Sequence, residues 1–460
     1  MKRSVLLPVL VLVLGGCAST SPKDAFRDVA QRAEQQSGRR VMWDQGGDDD
    51  AKVKHAIGSL LASELSADAA VQVALLNNPT LIATYEELSI AQADLVQAGL
   101  LKNPAFTVGR TAWEAEHIDP NLFASVEQDV LDLLMLPARK KIAKSQLEQV
   151  KHRLLGEILD LAGRTRTAFY AVQAAQQTAA MRLEIVQASE AAIELATRQY
   201  EAGNLNEFDL ANERAGYSQL QLGLAQSSVA VTQARADLAK LLGVWGPAMS
   251  FRVPERLAEL PTQEVALEHL ESVAIGQRAE LAAATQQRRT LHYALNLAKS
   301  SRWFGTVTVA AEIGRLRSGN ISVGPSATIE IPLFDQRQAA IARLEAMSRA
   351  AASTERAIAI DIRADVNAVR ARLLAARRTV EFYRETILPT RRNLTRLAQV
   401  QYDAMLLGVY QLLQIRQQEV GAMTEYLDAL REYWTARSDL ERAVGGRLPV
   451  SGHQPEHPSP

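Results

Sequence analysis

The stretch Tyr200-Glu201-Ala202-Gly203 ends a long helical pattern, and a related stretch, Tyr402-Asp403-Ala404, occurs 202 positions later. The similarity continues downstream, where Arg235-Ala236-Asp237-Leu238 corresponds to Arg437-Ser438-Asp439-Leu440. A shared sequence at a nearly constant offset indicates a duplicated supersecondary unit. The fold therefore has to be understood as two related repeats before any single residue is interpreted.

Each repeat combines long helical patterns with a short segment of β-type alternation. In the first repeat the helical pattern runs from Ala138 to about Tyr200 without a proline, and at about 1.5 Å per residue it would extend roughly 90 Å. We expect this helix to begin near Pro137 and its counterpart in the second repeat to be kinked at Pro389. The predicted strands cover about residues 104–113, 121–131, 304–314 and 321–331.

Changes in composition give the domain boundaries. Ser66 is suited to cap the first helix of the first repeat, and a proline-containing stretch separates the two repeats. We expect the N-terminal arm to be extended and partly irregular, and the C-terminal tail to be disordered. The predicted segments are a signal peptide (1–16), an N-terminal arm (17–65), the first repeat (66–243), a linker (244–271), the second repeat (272–445) and the tail (446–460).

The overall composition argues against several classes of protein. The chain has 460 residues and a formal net charge of −1, so a nucleic-acid partner is not expected. Abundant Ala, Leu, Gln, Arg and Glu favour long helices and coiled coils over a mixed α/β enzyme. The sequence lacks a phosphate-binding loop, a nucleophile elbow and a His-Glu-x-x-His motif. Because Pro455 separates His453 from His457, we predict no metal site there, and we expect no cofactor and no enzyme activity.

The N-terminus has the pattern of a bacterial lipoprotein signal. Lys2 and Arg3 precede an apolar run, Val5 to Leu14, which is too short to span a bilayer. Cleavage before Cys17, the only cysteine, would allow acylation, including palmitate, of its sulfur and its new amino group. The residues after Cys17 lack an Asp that would favour retention in the inner membrane, so we expect the outer membrane. The alternative is an ordinary secretory signal with an incidental cysteine.

The four strands alternate apolar and polar residues in the manner of a transmembrane β-barrel. Four strands cannot close a barrel, but strands contributed by several identical chains can, and an open sheet is excluded from lipid. Three protomers would give a ring of six similar two-stranded units. We predict that the barrel lumen is lined by Thr306, Thr308, Ser322, Ser326 and Glu330. For Phe106, Trp113, Phe123, Trp303 and Phe304, both an aromatic girdle and plain core packing are open.

The chain resembles the TolC family of trimeric outer-membrane efflux ducts, in particular its lipoprotein branch. The resemblance rests on Asn78-Pro79-Thr80-Leu81, on Ile331-Pro332-Leu333-Phe334-Asp335 and on the duplicated tips, in this order behind a lipoprotein signal. It implies a mainly α fold with a small β-barrel portion, in which the trimer forms a 12-stranded barrel continued by a periplasmic helical tunnel. It also implies three kinds of partner: outer-membrane lipid, a periplasmic adaptor and an inner-membrane pump.

The resemblance implies roles for residues at the two helix-hairpin tips. Acidic residues narrow the second tip of some members, but the matching positions here are Gln411 and Gln414. The gate candidates are therefore these two residues and Asp209, which is either a gate contact or a solvated carboxylate in the first turn of a helix. The second tip has Met405 where the family usually has glycine. The implied adaptor contacts are Tyr200, Gly203, Asn204, Tyr402, Met405 and Gly408.

Two functions follow from these observations. The first is the channel of a tripartite export system, a passive conduit opened at its helix tips by the adaptor and pump. The second is a non-transport periplasmic coiled-coil lipoprotein that serves as a scaffold. The scaffold explains the helices and the lipoprotein signal but does not explain the strands. The sequence does not name the cargo or the pump class, and drugs, metal ions, dyes and peptides all stay open.

Overall fold

The computed structural model describes residues 21–43, 48–111, 121–262, 267–315 and 320–448. Most of these residues are helical, and one antiparallel sheet contains four strands in the order β1-β2-β3-β4. Among the helices of these residues, none combines the length and apolar character that a membrane-spanning helix requires. The strands are β1 (Ala105–Thr111), β2 (Asn121–Asp129), β3 (Val307–Arg315) and β4 (Ile321–Ile329).

The helices follow the predicted duplication. Each repeat has two shorter helices, a pair of strands, a long helical stretch and a return helix of 36 residues. In the first repeat these are α3 (Ala67–Asn77), α4 (Pro79–Ala98), α5 (Val130–Glu201) and α6 (Glu207–Leu242). In the second they are α7 (Leu270–Gln277), α8 (Ala279–Ser300), α9 (Gln338–Phe382), α10 (Leu388–Asp403) and α11 (Val409–Val444). A 3₁₀ turn, Gly246–Ser250, lies in the linker.

The chain divides into two compact units. The first comprises Met1–Asp28, Tyr85–Arg153 and Glu280–Ile358, and it contains the sheet. The second comprises Val29–Thr84, Leu154–Ala279 and Ala359–Pro460, and it contains both hairpin tips.

The start of α5 corrects the prediction that this helix begins near Pro137. The helix begins at Val130, and Pro137 lies inside it. The missed signal is Asp129, whose carboxylate accepts a hydrogen bond from the Asp132 N–H (3.1 Å) and so caps the first turn. Apolar residues at 130, 131, 133 and 134 fit both a strand and a helix, so periodicity could not place this boundary.

The interruption expected at Pro389 is present as a local change of helix type. Residues Tyr383–Ile387 form a π-helical turn between α9 and α10, and Pro389 follows two positions later in the first turn of α10. Because proline lacks an N–H and crowds the preceding turn, the hydrogen-bond pattern has to change just before it.

Two further expectations, for the N-terminal arm and for the start of the C-terminal tail, are corrected by the structure. The N-terminal arm, expected to be irregular, contains two 15-residue helices, α1 (Lys23–Ser37) and α2 (Asp48–Ala62). Helix α1 buries Val29 and Ala33 at a spacing of four, a stripe too small to stand out in a polar sequence. In the predicted tail, the Arg447 N–H donates to the Gln36 carbonyl (2.9 Å) and Leu448 is buried. Order therefore extends beyond 445.

In each repeat, the end of the return helix is hydrogen-bonded to the junction between the two shorter helices. In the first repeat, Asn78 is buried; its Oδ1 accepts from the Thr80 and Leu81 N–H groups, and its Nδ2 donates to the Leu241 carbonyl (2.9 Å). In the second repeat, Arg278 takes the same place and donates from Nη1 to the Ala443 carbonyl (3.2 Å). The junction is thus retained with a different donor, which explains how the second repeat works without an Asn-Pro motif.

Candidate functional site

The sheet has one apolar and one polar face, as the alternation predicts. The register aligns Val108, Ala124, Ile313 and Val323 in one row across all four strands. The next row on this face contains Phe106, Val126, Ala311 and Pro325. The larger side chains of both rows are exposed in the single chain. An exposed apolar face of this width requires a partner or a lipid environment.

The opposite face is built from small and polar side chains. Of the residues predicted to line a lumen, Thr308, Ser322 and Ser326 lie on this face. Thr306 and Glu330 lie just beyond the ends of β3 and β4. The Glu330 carboxylate accepts hydrogen bonds from both the N–H (2.9 Å) and the hydroxyl (3.1 Å) of Thr306, so it links the start of β3 to the end of β4.

Three carboxylates of this face were not among the predicted residues. Glu127 and Asp129 come from β2 and Glu312 from β3, where Glu312 accepts a hydrogen bond from the Ser326 hydroxyl (2.9 Å). Within the described strands, no Lys or Arg lies on this face. Lys102, ahead of β1, pairs with Asp129 (3.2 Å), so Glu127 and Glu312 give the face its acidic character. The signal was present in the sequence, because both strands alternate in the same way as β4.

The aromatic residues near the strands do not form a buried core. Phe106, Trp303 and Phe304 are largely exposed in the single chain, which argues against the core-packing interpretation. Phe123 differs from them, because its alignment with Gly109 and Gly314 puts it on the polar face. Trp113 lies outside the described residues.

At the first tip, between α5 and α6, the chain turns through Gly203, which has a φ of +75°. The Gly203 N–H donates to the Tyr200 carbonyl (2.9 Å), and the Asn204 N–H donates to the Gln199 carbonyl (2.8 Å). Asn206 caps α6 by accepting from the Asp209 N–H (2.8 Å). These bonds satisfy backbone groups that helix ends leave unpaired.

The second tip, between α10 and α11, repeats this backbone with other side chains. Met405 has a φ of +60° and its N–H donates to the Tyr402 carbonyl (2.9 Å), while the Leu406 N–H donates to the Gln401 carbonyl (2.8 Å). Gly408 is the N-cap residue of α11. Met405 is 93% exposed and Leu406 is 79% exposed, so the turn presents apolar side chains to solvent.

Two of the three gate candidates, Asp209 and Gln411, occupy equivalent capping positions. The second oxygen of Asp209, Oδ2, accepts from the Asn206 Nδ2 (2.8 Å), so this carboxylate takes part in the helix cap. Gln411 is in the same position of α11, and its Oε1 accepts from the Gly408 N–H (3.4 Å). Gln414 is exposed one turn further along α11. Capping accounts for Asp209 and Gln411 locally, whether or not they also take part in a gate.

At the tips, a hydrogen bond connects the two hairpins, and sequence reasoning missed it. The Tyr410 hydroxyl on α11 donates to Gln199 Oε1 near the end of α5 (3.0 Å). Nearby on α6, burial and then the negative charge of Asp209 raise the pKa of the Glu213 carboxyl. Burial, Glu213 and Asp209 also raise the pKa of Tyr410. Tyr410 corresponds to Phe208 in the first repeat, so aligning the repeats would have shown the added hydroxyl.

The remaining predicted site residues lie elsewhere. Cys17, His453 and His457 are outside the described residues. Within those residues, no group of three or more His, Cys, Asp or Glu side chains is arranged to hold a metal ion.

Comparisons with known proteins agree on the fold. The family model for outer membrane efflux proteins matches residues 70–244 and 270–446. The cobalt-zinc-cadmium resistance protein CzcC of Cupriavidus metallidurans is 22% identical over 392 residues, covering 84% of this chain and 91% of that protein. A membrane protein from Pseudomonas aeruginosa has 18% identity and a TM-score of 0.70, covering 82% of this chain and 92% of that one. The CmeC outer membrane channel of Campylobacter jejuni has 13% identity and a TM-score of 0.69, covering 84% and 87%.

Proposed function

Because the chain belongs to the outer membrane efflux protein family, we propose that it is the passive, homotrimeric outer-membrane channel of a tripartite export system. The observation that carries this proposal is the four-stranded sheet with an apolar face and two open edges. Within the described strands, β1 pairs only with β2 and β4 only with β3. The sheet is therefore incomplete in the single chain.

The physical argument for a trimer starts from those open edges. In lipid, a backbone N–H or C=O without a partner costs several kcal/mol, so spanning sheets have to close. Three copies of a four-stranded sheet supply 12 strands, within the range of known outer-membrane barrels. In a closed barrel, the apolar face would meet lipid and the polar face would line a water-filled lumen. The scaffold alternative does not explain why the sheet has one apolar and one polar face.

We further propose that acylated Cys17 anchors the chain in the outer membrane and that the hairpin tips meet a periplasmic adaptor linked to an inner-membrane pump. The exposed Met405 and Leu406 support an adaptor contact, because solvent-exposed apolar side chains at a turn are favourable only when covered. The hydrogen bond from Tyr410 to Gln199 links the two hairpins at their tips, so we expect widening of the entrance to break it.

Cations are the proposed cargo. The relative from Cupriavidus metallidurans is named for resistance to cobalt, zinc and cadmium. In a trimer, Glu127 and Glu312 would each be present three times around the lumen, whereas Asp129 caps α5 and pairs with Lys102 (3.2 Å). A pore lined by rings of carboxylates favours cations over anions. We expect a cation-selective conductance, and a Glu127→Gln/Glu312→Gln double variant should bring the permeability ratio towards one.

The decisive experiment tests assembly and conduction together. The protein purified in mild detergent should have the mass of three chains by light scattering, and it should conduct ions in a planar bilayer. The Cys17→Ser variant should keep both properties, because the barrel itself holds the protein in the membrane. A monomer without conductance, which leaves the membrane when Cys17 is replaced, would support the scaffold and end this proposal.

A further inference from the structure

The return helix of the first repeat, α6, has an exposed face without a charged residue. Phe208, Leu222 and Val229 are 73%, 51% and 68% exposed, and they fall at the same position of a seven-residue repeat. Alternating steps of three and four residues are the pattern of a helix that packs along another helix. The face, called the α6 face below, consists of the exposed residues Phe208, Ala211, Ala215, Ser218, Leu222, Ala225, Val229, Thr232 and Ala236.

The other side of α6 is already packed within the chain. Leu210, Ser227 and Leu238 are buried there. Arg182 of α5 donates to the Gly223 carbonyl (2.6 Å), so α5 is a neighbour of α6. A helix that is packed on one side and apolar on the other has room for a second neighbour.

The duplication indicates which kind of helix covers the α6 face. The equivalent positions of α11, 202 residues later, are buried or half-buried with the exception of Arg431. They pack on α5: the Trp434 ring is stacked on Tyr170, with 5.3 Å between the ring centroids, and the Tyr410 hydroxyl donates to Gln199 (3.0 Å). In the second repeat this face is therefore covered by the long helix of the other repeat.

The chain itself cannot supply the equivalent contact to α6. The counterpart of the last part of α5 is α10, and α10 packs on α11, where Arg391 Nη1 donates to Gln418 Oε1 (2.8 Å). Because α11 lies against both α10 and α5, it separates α10 from α6. Helix α10 has its own exposed apolar residues, which are Leu394, Leu397 and Val400.

We propose that the α6 face packs on α10 of a second copy of this chain, which repeats between copies the contact that α11 makes with α5 within one copy. Such a head-to-tail contact joins different surfaces of the two copies and forms a ring when its rotation closes. The inference rests on the proposed function, because it states which helices join the three chains. By the offset of 202 residues, Phe208 takes the place of Tyr410, and Gln401 of the second copy takes the place of Gln199.

Chemical crosslinking tests this pairing directly. The background is Cys17→Ser, which removes the only cysteine of the chain. In the Phe208→Cys/Gln401→Cys pair, a short bismaleimide should convert most of the protein into covalent products of two and three chains on a denaturing gel. Larger products should be absent, because a ring of three is closed. Each single variant should stay at the mass of one chain.

The matched control is Gln199→Cys/Tyr410→Cys, the equivalent pair within one copy. It should consume both thiols and stay at the mass of one chain. A second measurement uses Leu222→Asp, which puts a carboxylate into the contact and should lower the temperature at which the trimer dissociates. Gln221→Asp is its control, because one residue further back points about 100° around the helix, and it should leave this temperature unchanged.

The outcomes separate this inference from the proposed function. If light scattering gives three chains but the Phe208→Cys/Gln401→Cys pair stays at the mass of one chain, α6 does not meet α10 of a second copy and the inference is wrong. Links between copies in either single variant would put identical helices side by side and would also overturn it. If the protein is a monomer in detergent, the homotrimer of the proposed function fails instead, while the control pair still links within the chain.

Discussion

At the first hairpin tip the chain turns through Gly203, whereas at the second it turns through Met405 with nearly the same backbone conformation. A positive φ is readily adopted by glycine but costs roughly 1–2 kcal/mol for a residue with a Cβ. The hydrogen bonds of both turns are nevertheless equivalent. The duplication has therefore kept the backbone of the tip while its side chains diverged.

The side chains of the second turn are more apolar than those of the first. The first turn presents a glycine and Asn204, and the second presents Met405 and Leu406, both largely exposed. The less favourable residue at the left-handed position is also the more apolar one. This difference supports the proposal that the second tip makes the larger apolar contact with the adaptor. Substitutions at each pair of equivalent positions separate the contribution of the backbone from that of the side chains.

The largest effect is expected at the junction after the first return helix. A Cβ on Gly243 would be 2.4 Å from the Asn77 carbonyl oxygen, whereas on Gly445 the nearest atom would be at 3.1 Å. Both glycines have positive φ. Gly243→Ala should destabilise the protein by about 2 kcal/mol or more, and Gly445→Ala by about 1–2 kcal/mol.

Thermal midpoints of the purified variants in detergent check this order. Gly216→Ala on α6 is the matched control, since a Cβ there meets nothing within 4 Å and alanine favours the helix. A lower midpoint for Gly445→Ala than for Gly243→Ala would contradict the comparison.

The hydrogen-bond donors at the two junctions should also contribute unequally to the stability of the protein. Asn78→Ala removes a helix cap and leaves the Leu241 carbonyl without this donor, so we expect a loss of about 2 kcal/mol. Arg278→Ala should cost about 1 kcal/mol, because Arg278 is only half-buried. Asn78→Asp keeps the acceptor but not the donor, and should give an intermediate midpoint. Equal midpoints for Asn78→Ala and Arg278→Ala would show that burial does not distinguish the junctions.

At the tips, stability and adaptor binding should change in opposite directions. Met405→Gly removes the backbone penalty and should stabilise the protein by about 1 kcal/mol, while it weakens the adaptor complex. Gly203→Ala should destabilise by a similar amount. Met405→Asn tolerates a positive φ without an apolar side chain, so it should weaken the complex without a large change in midpoint. Surface plasmon resonance measures the affinity for the adaptor. An unchanged affinity in both Met405 variants would exclude this contact.

The sequence was informative where a pattern extended over many residues. The return helix α6 (Glu207–Leu242) is such an element, since a long 3.6-residue pattern between two turn signals leaves few alternatives. The start of α5 was misplaced because Pro137 is a stronger local signal than Asp129, although tertiary context tolerates a proline inside this helix.

The candidate sites were less predictable, because they depend on pairing between distant segments. Alternation gave the polar face of the sheet, and therefore Thr308, Ser322 and Ser326. The row that connects Phe123 to Gly109 and Gly314 requires the register between strands from both repeats, which periodicity does not fix. Likewise, the bond from Tyr410 to Gln199 joins positions 211 residues apart. Aligning the repeats shows the added hydroxyl of Tyr410, but it does not identify Gln199 as its partner.

The smallest predicted effect concerns the pH response of the tips. Burial first, and then the negative charge of Asp209, raise the pKa of the Glu213 carboxyl. Tyr410 on α11 lies near both acids, and its own raised pKa keeps the phenol protonated at neutral and acidic pH. The packed tip therefore binds a proton more tightly than a separated tip whose carboxyl is in water. Stability of the packed tip is gained as the pH falls through the raised pKa and lost as the pH rises through it. Channel conductance should thus decrease on mild acidification.

A tenfold change in the tip equilibrium corresponds to about 1.4 kcal/mol, and a partly exposed carboxyl should supply less. In Glu213→Gln the charge is absent at every pH, so the conductance should stay at the lower, acidic value and lose this part of its pH dependence. Glu207→Gln, at an exposed position in the first turn of the same helix, is the control and should respond to pH as the wild-type protein does. An unchanged pH response in Glu213→Gln would assign the response to other groups and leave Glu213 without a role in the tip equilibrium.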